Sequence, residues 1–425
     1  MGPSPVQAGA RTRDPVFGLL RLPSSGDQGT PLSMLGDTLV DRIHIEISPA
    51  LVMLTLIAYL VAAPDRAEAW REMVDSDANP GVLLGRGVNT AGLLSVGSDV
   101  VTAGLEATPD PQIRVARHLG FNGSPIWEYS LLPIAAERSG AALARSPDGA
   151  ILAASFQEGT LTSAVAKLAP ETGLPIWHAT FTESIALRAL ASGADGAAVA
   201  AGAIFNPETS GRALTVLKLS PDTGQELWRY VGSETDQAEV GAWAVEVDAT
   251  GDVFAAGSVF ENALLGYPDF VVLKLSGADG SLLWKHTVPS VSAHGGLARD
   301  LAVLPNGDVV AVGQAVVDSN RWFDIVAARL EGGTGQEVWR TVIYAADCGC
   351  GDSAFSVAID AAADVLVAGS PSTGLFSVMK LAGSSGALLW RSDVPNLGEA
   401  YGGESAGADL VQSTPDGNLI AAGRL

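Results

Sequence analysis

Cysteine is nearly absent: the 425-residue chain carries only Cys348 and Cys350, so no disulfide framework holds it together. Histidine is as scarce. His44, His118, His178, His286 and His294 are scattered, and no two stand at the spacing of a metal-ligand pair, which sets zinc aside. Basic residues are few as well, 25 against 47 acidic ones for a formal net charge of −22. With no Lys/Arg cluster to follow a phosphate backbone, nucleic acid is not an expected partner, and an anionic membrane surface is disfavoured for the same reason. The main apolar stretch, residues 50–63, covers fourteen positions, short of the about 20 that cross a bilayer comfortably.

What is present points to many short strands. Apolar residues make up 47% of the chain, enough for a large core, and 49 glycines with 23 prolines supply frequent tight turns. The acidic excess suits solubility in an exported protein.

Six tryptophans recur at nearly even spacing: Trp127, Trp177, Trp228, Trp284, Trp339 and Trp390, separated by 50, 51, 56, 55 and 51 residues. Each closes the same kind of phrase, as in Glu171-Thr-Gly-Leu-Pro-Ile-Trp177, Asp222-Thr-Gly-Gln-Glu-Leu-Trp228 and Gly333-Thr-Gly-Gln-Glu-Val-Trp339. A period near 50 residues with strand-like content is the sequence signature of a β-propeller. Residues 242–288 show the unit. Ala242–Asp248 reads as a strand, Ala249-Thr-Gly-Asp252 as a tight turn, Val253–Gly257 as a second strand, and a long loop leads to a third at Phe270–Leu275. Ser276-Gly-Ala-Asp-Gly280 turns the chain into the Trp-bearing fourth strand. Asp-Gly and Asn-Gly pairs recur at the first turn because they tolerate positive φ. One such sheet cannot bury both faces alone, so each indole is expected to pack flat on a turn of the next blade. Burying an indole removes about 150–250 Å² from water, on the order of 4–6 kcal/mol as an upper bound.

The phrase Lys218-Leu-Ser-Pro-Asp-Thr-Gly-Gln-Glu-Leu-Trp228 resembles the tryptophan-docking motif of quinoprotein (PQQ) propellers. The fuller repeat, Val247–Gly257 followed by Asp269–Leu275, is similar to bacterial extracellular SBBP-type propeller repeats. The resemblance implies an all-β β-propeller of four-stranded antiparallel blades. Complete repeats fall near 93–131, 135–181, 185–230, 240–288, 297–343 and 354–394, and a partial one at 408–425 supplies two strands. Seven blades are expected, the last completed by the strand around Trp70. Six copies specify a fold and not an activity, because such repeats serve dehydrogenases, assembly factors and scaffolds alike.

Residues 1–69 read as a leader and 70–425 as the propeller. Residues 50–63 fit the apolar part of a secretory signal, with Ala67-Glu-Ala69 at a cleavage site. Two alternatives stand beside that reading: an uncleaved N-terminal anchor, and blade strands at Leu56–Trp70, which resembles Phe270–Trp284. Met34 is an alternative start.

For function, the expectation is an exported, periplasmic or extracellular, non-catalytic scaffold. No nucleophile–base set or paired carboxylates can be assembled, so no catalytic residue is assigned, and no cofactor is expected. The six docking tryptophans are structural. The longer loops gather on the face opposite the Thr-Gly turns, and combine aromatics with carboxylates: Asp236, Glu239, Glu261, Tyr267, Asp269, Trp322, Asp324, Asp352 and Tyr401. That mixture suits a protein or glycan partner. The resemblance implies a rival, a PQQ- and Ca²⁺-dependent sugar or alcohol dehydrogenase. In that family adjacent cysteines lie over the cofactor, whereas Cys348-Gly-Cys350 are not adjacent and read as a local disulfide or two free thiols. A third reading is Ca²⁺-dependent glycan or surface adhesion, although no twelve-residue Ca²⁺ loop is present.

Overall fold

The structure, a computed structural model, describes residues 17–22, 71–74, 82–83, 93–97, 99–106, 112–119, 124–133, 139–157, 162–206, 211–232, 240–260, 268–291, 295–318, 322–343, 351–371, 375–394, 407–413 and 419–424. Among these residues the elements are all strands, gathered into seven antiparallel sheets. In the fourth, Gly241–Val247, Val253–Val259, Asp269–Leu275 and Leu282–Val288 pair in chain order. The second (from Ser139 to Phe181), third (Ile185 to Val231), fifth (Gly296 to Ile343) and sixth (Ser353 to Val394) repeat that meander. The first consists of Leu93–Val96, Asp99–Glu106, Gln112–His118 and Pro125–Pro133, with Val82–Leu83 pairing the far end of its second strand.

The seventh sheet joins the two ends of the chain. Gly407–Ser413 and Leu419–Arg424 are its first two strands. Phe17–Leu22 is the third, in antiparallel register from Phe17 opposite Arg424 to Leu22 opposite Leu419. Arg71–Val74 is the fourth. Completion of the partial repeat thus involves the strand that follows Trp70, while Trp70 itself, like residues 50–63, lies outside the described residues. The third strand comes from within the segment read as a leader. Its Leu20-Arg21-Leu22 corresponds to Leu217-Lys-Leu219 of the third blade, a correspondence hidden by the long separation from its partner strand.

The first strands of successive blades pack on one another from the first blade to the seventh, which places them innermost, around the propeller axis. The core is divided between blades. One cluster joins Val199, Val216 and Trp228 of the third blade to Val245, Val253 and Val271 of the fourth, and equivalent clusters fill the other described junctions.

Each indole seals such a junction. Trp127, Trp177, Trp228, Trp284 and Trp339 lie against Gly173, Gly224, Gly280, Gly335 and Gly386 of the following blade, so closely that an added Cβ would fall 2.5–2.6 Å from each ring. All five glycines have φ between +67° and +72°, the left-handed region that side chains rarely adopt. The indole N–H donates to a carbonyl of the same turn: Pro170 at 2.8 Å, Pro221 at 2.9 Å, Gly277 and Gly332 at 3.1 Å, and Gly383 at 2.9 Å. A β-bulge at the preceding residue (Ile126, Ile176, Leu227, Leu283, Val338 and Leu389) sets the aim of each ring, the sixth being Trp390.

A second side chain shares every one of those carbonyls. Arg117, Lys167, Lys218, Lys274 and Arg329 are the cross-strand partners of the five tryptophans. They donate to Pro170, Pro221, Gly277, Gly332 and Gly383 at 2.6–3.3 Å. Each cation is also paired with an acid at the first turn of its own blade: Asp99, Asp148, Asp195, Asp248 and Asp308. The ammonium of Lys167 beside Asp148 holds that carboxyl down at about 2. Carbonyl, indole and ion pair therefore form one clamp, repeated at five junctions among the described residues.

Candidate functional site

Antiparallel meanders place the first-to-second and third-to-fourth turns at one end of every blade, and the longer connections at the other. The turn face is committed internally through the clamp. On the loop face, Trp322 is 52% exposed. Three carboxylates assigned to that surface are withdrawn from it: Asp269, Asp324 and Asp352 are 7%, 2% and 3% exposed. The sequence expectation is corrected here, because all three are buried; Asp269, at the start of its strand, turns inward to hold backbone, its Oδ1 accepting from the Ser290 amide at 2.9 Å. Asp236, Glu239, Glu261, Tyr267, Tyr401, Cys348 and Cys350 lie outside the described residues.

The structure brings together a set of residues that sequence reading passed over. Early in the innermost strands of the third to seventh blades, the ladder shifts by one residue. The extra residues are Arg188, Trp243, Arg299, Phe355 and Asp409. Their positions near the start of the innermost strands place them at the loop-face end of the axial channel. The Arg188 guanidinium lies over the Trp243 ring at 4.4 Å from its centroid. Arg299, from the blade on the other side, lies 5.7 Å from the same ring and 5.4 Å from that of Phe355. A row of alternating cations and aromatics thus runs along the channel wall, with contacts short enough for cation–π attraction. The Trp243 Nε1–H is shielded from solvent and has no hydrogen-bond partner among the described residues.

Two carboxylates stand beside this row. Asp300 accepts from the amides of Val357 in the next blade, at 2.8 Å, and of Leu301, at 2.9 Å. Glu246 accepts from the amide of Val303, also in the next blade, at 3.0 Å. Burial pushes Glu246 up to about 7, with the nearby Asp300 charge adding to the effect against the Val303 amide. Burial likewise raises Asp300 to about 6, although two amides and the Ser356 hydroxyl pull the other way. Both carboxyls therefore hold protons unusually well and tie inner strands together.

That chemistry bears on the quinone and Ca²⁺ implied by the resemblance. A Ca²⁺ ligand set needs several ionised carboxylate or carbonyl oxygens turned toward one point. Among the described residues, no group of three or more His, Cys, Asp and Glu side chains converges in this way. Glu246 and Asp300 spend oxygens on backbone amides and hold their protons more tightly than ordinary carboxyls, which weakens both as Ca²⁺ ligands.

Similarity to known proteins agrees with the fold. The europium-containing methanol dehydrogenase superposes with a TM-score of 0.51 at 10% identity, covering 84% of this chain and 85% of that one. BamB from Moraxella catarrhalis gives 0.41 at 11% identity over 81% of this chain and 99% of its own. The Dos1 propeller gives 0.46 at 10% identity, over 76% and 74%. At 10% identity the likeness to the methanol dehydrogenase speaks for the fold alone, and nothing is drawn from the other two. Among curated proteins, none matches the chain in sequence. The sequence profile of the outer membrane protein assembly factor BamB matches residues 121–305 and, in a second alignment, 161–424. Those spans cover well over half of the chain, from the first blade's Trp-bearing strand to the second strand of the seventh, and the chain belongs to that PQQ-like propeller family.

Proposed function

We propose that this protein is an exported, non-catalytic propeller that acts as a binding scaffold, with its loop face as the surface for a protein or glycan partner. The observation that carries the reading is the division of labour between the two faces. The repeated residues (Trp, its cross-strand cation and the turn glycine) are consumed by blade-to-blade clamps on the turn face. The connections opposite differ from blade to blade in length and sequence, as recognition loops do on a rigid support. Export accords with the family and with the acidic composition. The variation among loops, together with exposed Trp322, suits an interface anchored by an aromatic side chain.

The test is site-specific photocrosslinking in the producing cell, with the reactive residue at position 322 on the loop face and, as a control, at Asn306 on the turn face. The reading expects a discrete adduct from position 322 and none from 306, in an exported fraction. Adducts from both sites alike, or from neither, would overturn it. Redox-dye turnover after addition of PQQ and Ca²⁺ would replace it with the dehydrogenase reading. A melting temperature that falls on chelation would favour the adhesion reading.

A further inference from the structure

The seventh sheet repeats the pairing of the other blades without the connections that set it there. In the third blade Leu219, the last residue of the third strand, stands opposite Ala198, the first of the second. Two residues earlier, Leu217 stands opposite Arg229, which follows Trp228. The seventh blade keeps both relations: Leu22 stands opposite Leu419, and Leu20 opposite Arg71, which follows Trp70 in the sequence. Register comes from turn geometry or from the side-chain pattern. No hairpin acts here, because Leu419–Arg424 lies at the other end of the chain and residues 23–70 stand between Leu22 and Arg71. The pattern of Phe17-Gly-Leu-Leu-Arg-Leu22 is what remains to set it. Every other third strand adjoins both of its neighbours in chain order, so Phe17–Leu22 is held by pairing alone. Without it, the edge of Leu419–Arg424 is left with unmet backbone groups, and Arg71–Val74 loses its partner strand.

We propose that the seventh blade binds Phe17–Leu22 as a separable latch strand, which stays with the folded protein even when the chain is cut between Leu22 and Arg71. The slot lies between Leu419–Arg424 and Arg71–Val74. It recognises an extended apolar segment by main-chain hydrogen bonds along both edges. Its leucines stand at the register positions where Leu217 and Leu219 of the third blade are fully buried. A cut at Ala69 that carried the preceding residues away would leave the ring one strand short, so the latch is retained in the working protein. The site is distinct from the loop-face surface and does not depend on it.

The experiment inserts a specific protease site after Gln28 in the full chain, cuts the folded protein, and follows both pieces by size exclusion with mass spectrometry. The fragment that carries Phe17–Leu22 should travel with the remainder. The melting temperature of the cut protein should then rise with its concentration, as for any two-part complex. Leu20→Asp places a charge at a third-strand position and should weaken the hold on the fragment more than about tenfold, whereas Ser24→Asp, beyond the strand, should leave it unchanged. Should Leu20→Asp fail to fold, a synthetic peptide of residues 15–24 decides. In excess over the cut protein it should displace the fragment, and the same peptide carrying Leu20→Asp should not. A fragment that separates on cutting, one held equally well with Leu20→Asp, or one that the unaltered peptide does not displace overturns the proposal.

Discussion

Replacing Trp228 with alanine tests the clamp at its centre. The indole is 8% exposed, rests on Gly280, and donates to the Gly277 carbonyl at 3.1 Å. Truncating a buried tryptophan costs about 3–5 kcal/mol. The lost hydrogen bond adds less than it would elsewhere, because Lys218 Nζ still donates to the same carbonyl at 3.0 Å and no buried acceptor is left bare. The total should thus stay near 3–5 kcal/mol, and Trp228→Phe, which keeps most of the ring, should cost about 1–2 kcal/mol. Gly280→Ala meets the same indole from the other side: its Cβ would lie 2.6 Å from Trp228 Cε3, at φ +72°. Alone it should cost about 2 kcal/mol or more from strain and overpacking. In the Trp228→Ala background the overlap disappears and only the backbone strain, about 1 kcal/mol, remains. A double-mutant cycle by urea denaturation should therefore show at least about 1 kcal/mol of coupling. An unchanged midpoint for Trp228→Ala, or additivity within about 0.5 kcal/mol, would refute the clamp.

Lys274 offers a second handle, because it bridges Asp248 at 3.0 Å and Asp252 at 3.3 Å and reaches Gly332 of the next blade at 3.2 Å. Burial works to raise Asp248, but Thr250 and Lys274 outweigh it and hold the carboxyl below its ordinary value. Lys274→Met should cost about 2–4 kcal/mol by leaving that acid without its cation, and a denaturation midpoint equal to the unaltered protein's would count against it. The two raised carboxyls predict a pH dependence of opposite sign. Glu246 at about 7 and Asp300 at about 6 bind protons more tightly folded than unfolded. Their contribution is full below the unfolded value near 4 and is lost as pH rises through about 6–7. Glu246→Gln should consequently flatten the decline in melting temperature between about pH 5 and pH 8. A decline of the same steepness in that variant would show that the burial argument is misplaced.

The legible part of the fold was the part that repeats. Tryptophan and glycine recur in type, so the turns and blade boundaries could be read from their spacing. The cation of the clamp was equally periodic: Arg117, Lys167, Lys218, Lys274, Arg329 and Lys380 each stand ten residues before a tryptophan. It went unread because a lysine in a strand looks like a solvated side chain until its cross-strand partner is known. Phe17–Leu22 escaped for a different reason, since its fourth-strand partner is Arg71–Val74, on the far side of the apolar stretch. The channel row had no signal in residue type. Arg188, Trp243, Arg299, Phe355 and Asp409 share only a register position, which exists once strands are paired. Asp269, Asp324 and Asp352 were misread because polarity in a loop does not say which way a side chain turns.

The bulge ahead of each tryptophan has a consequence for how copies of this protein meet one another. A propeller cannot hide its outermost strands, so every blade ends in a line of unmet backbone donors and acceptors, the template on which a second chain can zip. Here those rim strands also expose aliphatic side chains, among them Ile176, Leu227, Leu283 and Leu389, each about half exposed. The bulge breaks the regular spacing of the line at those same residues, and an incoming flat strand loses register after a few bonds. In the first six blades one extra residue thus both turns the indole inward and interrupts the edge that a flat incoming strand would need.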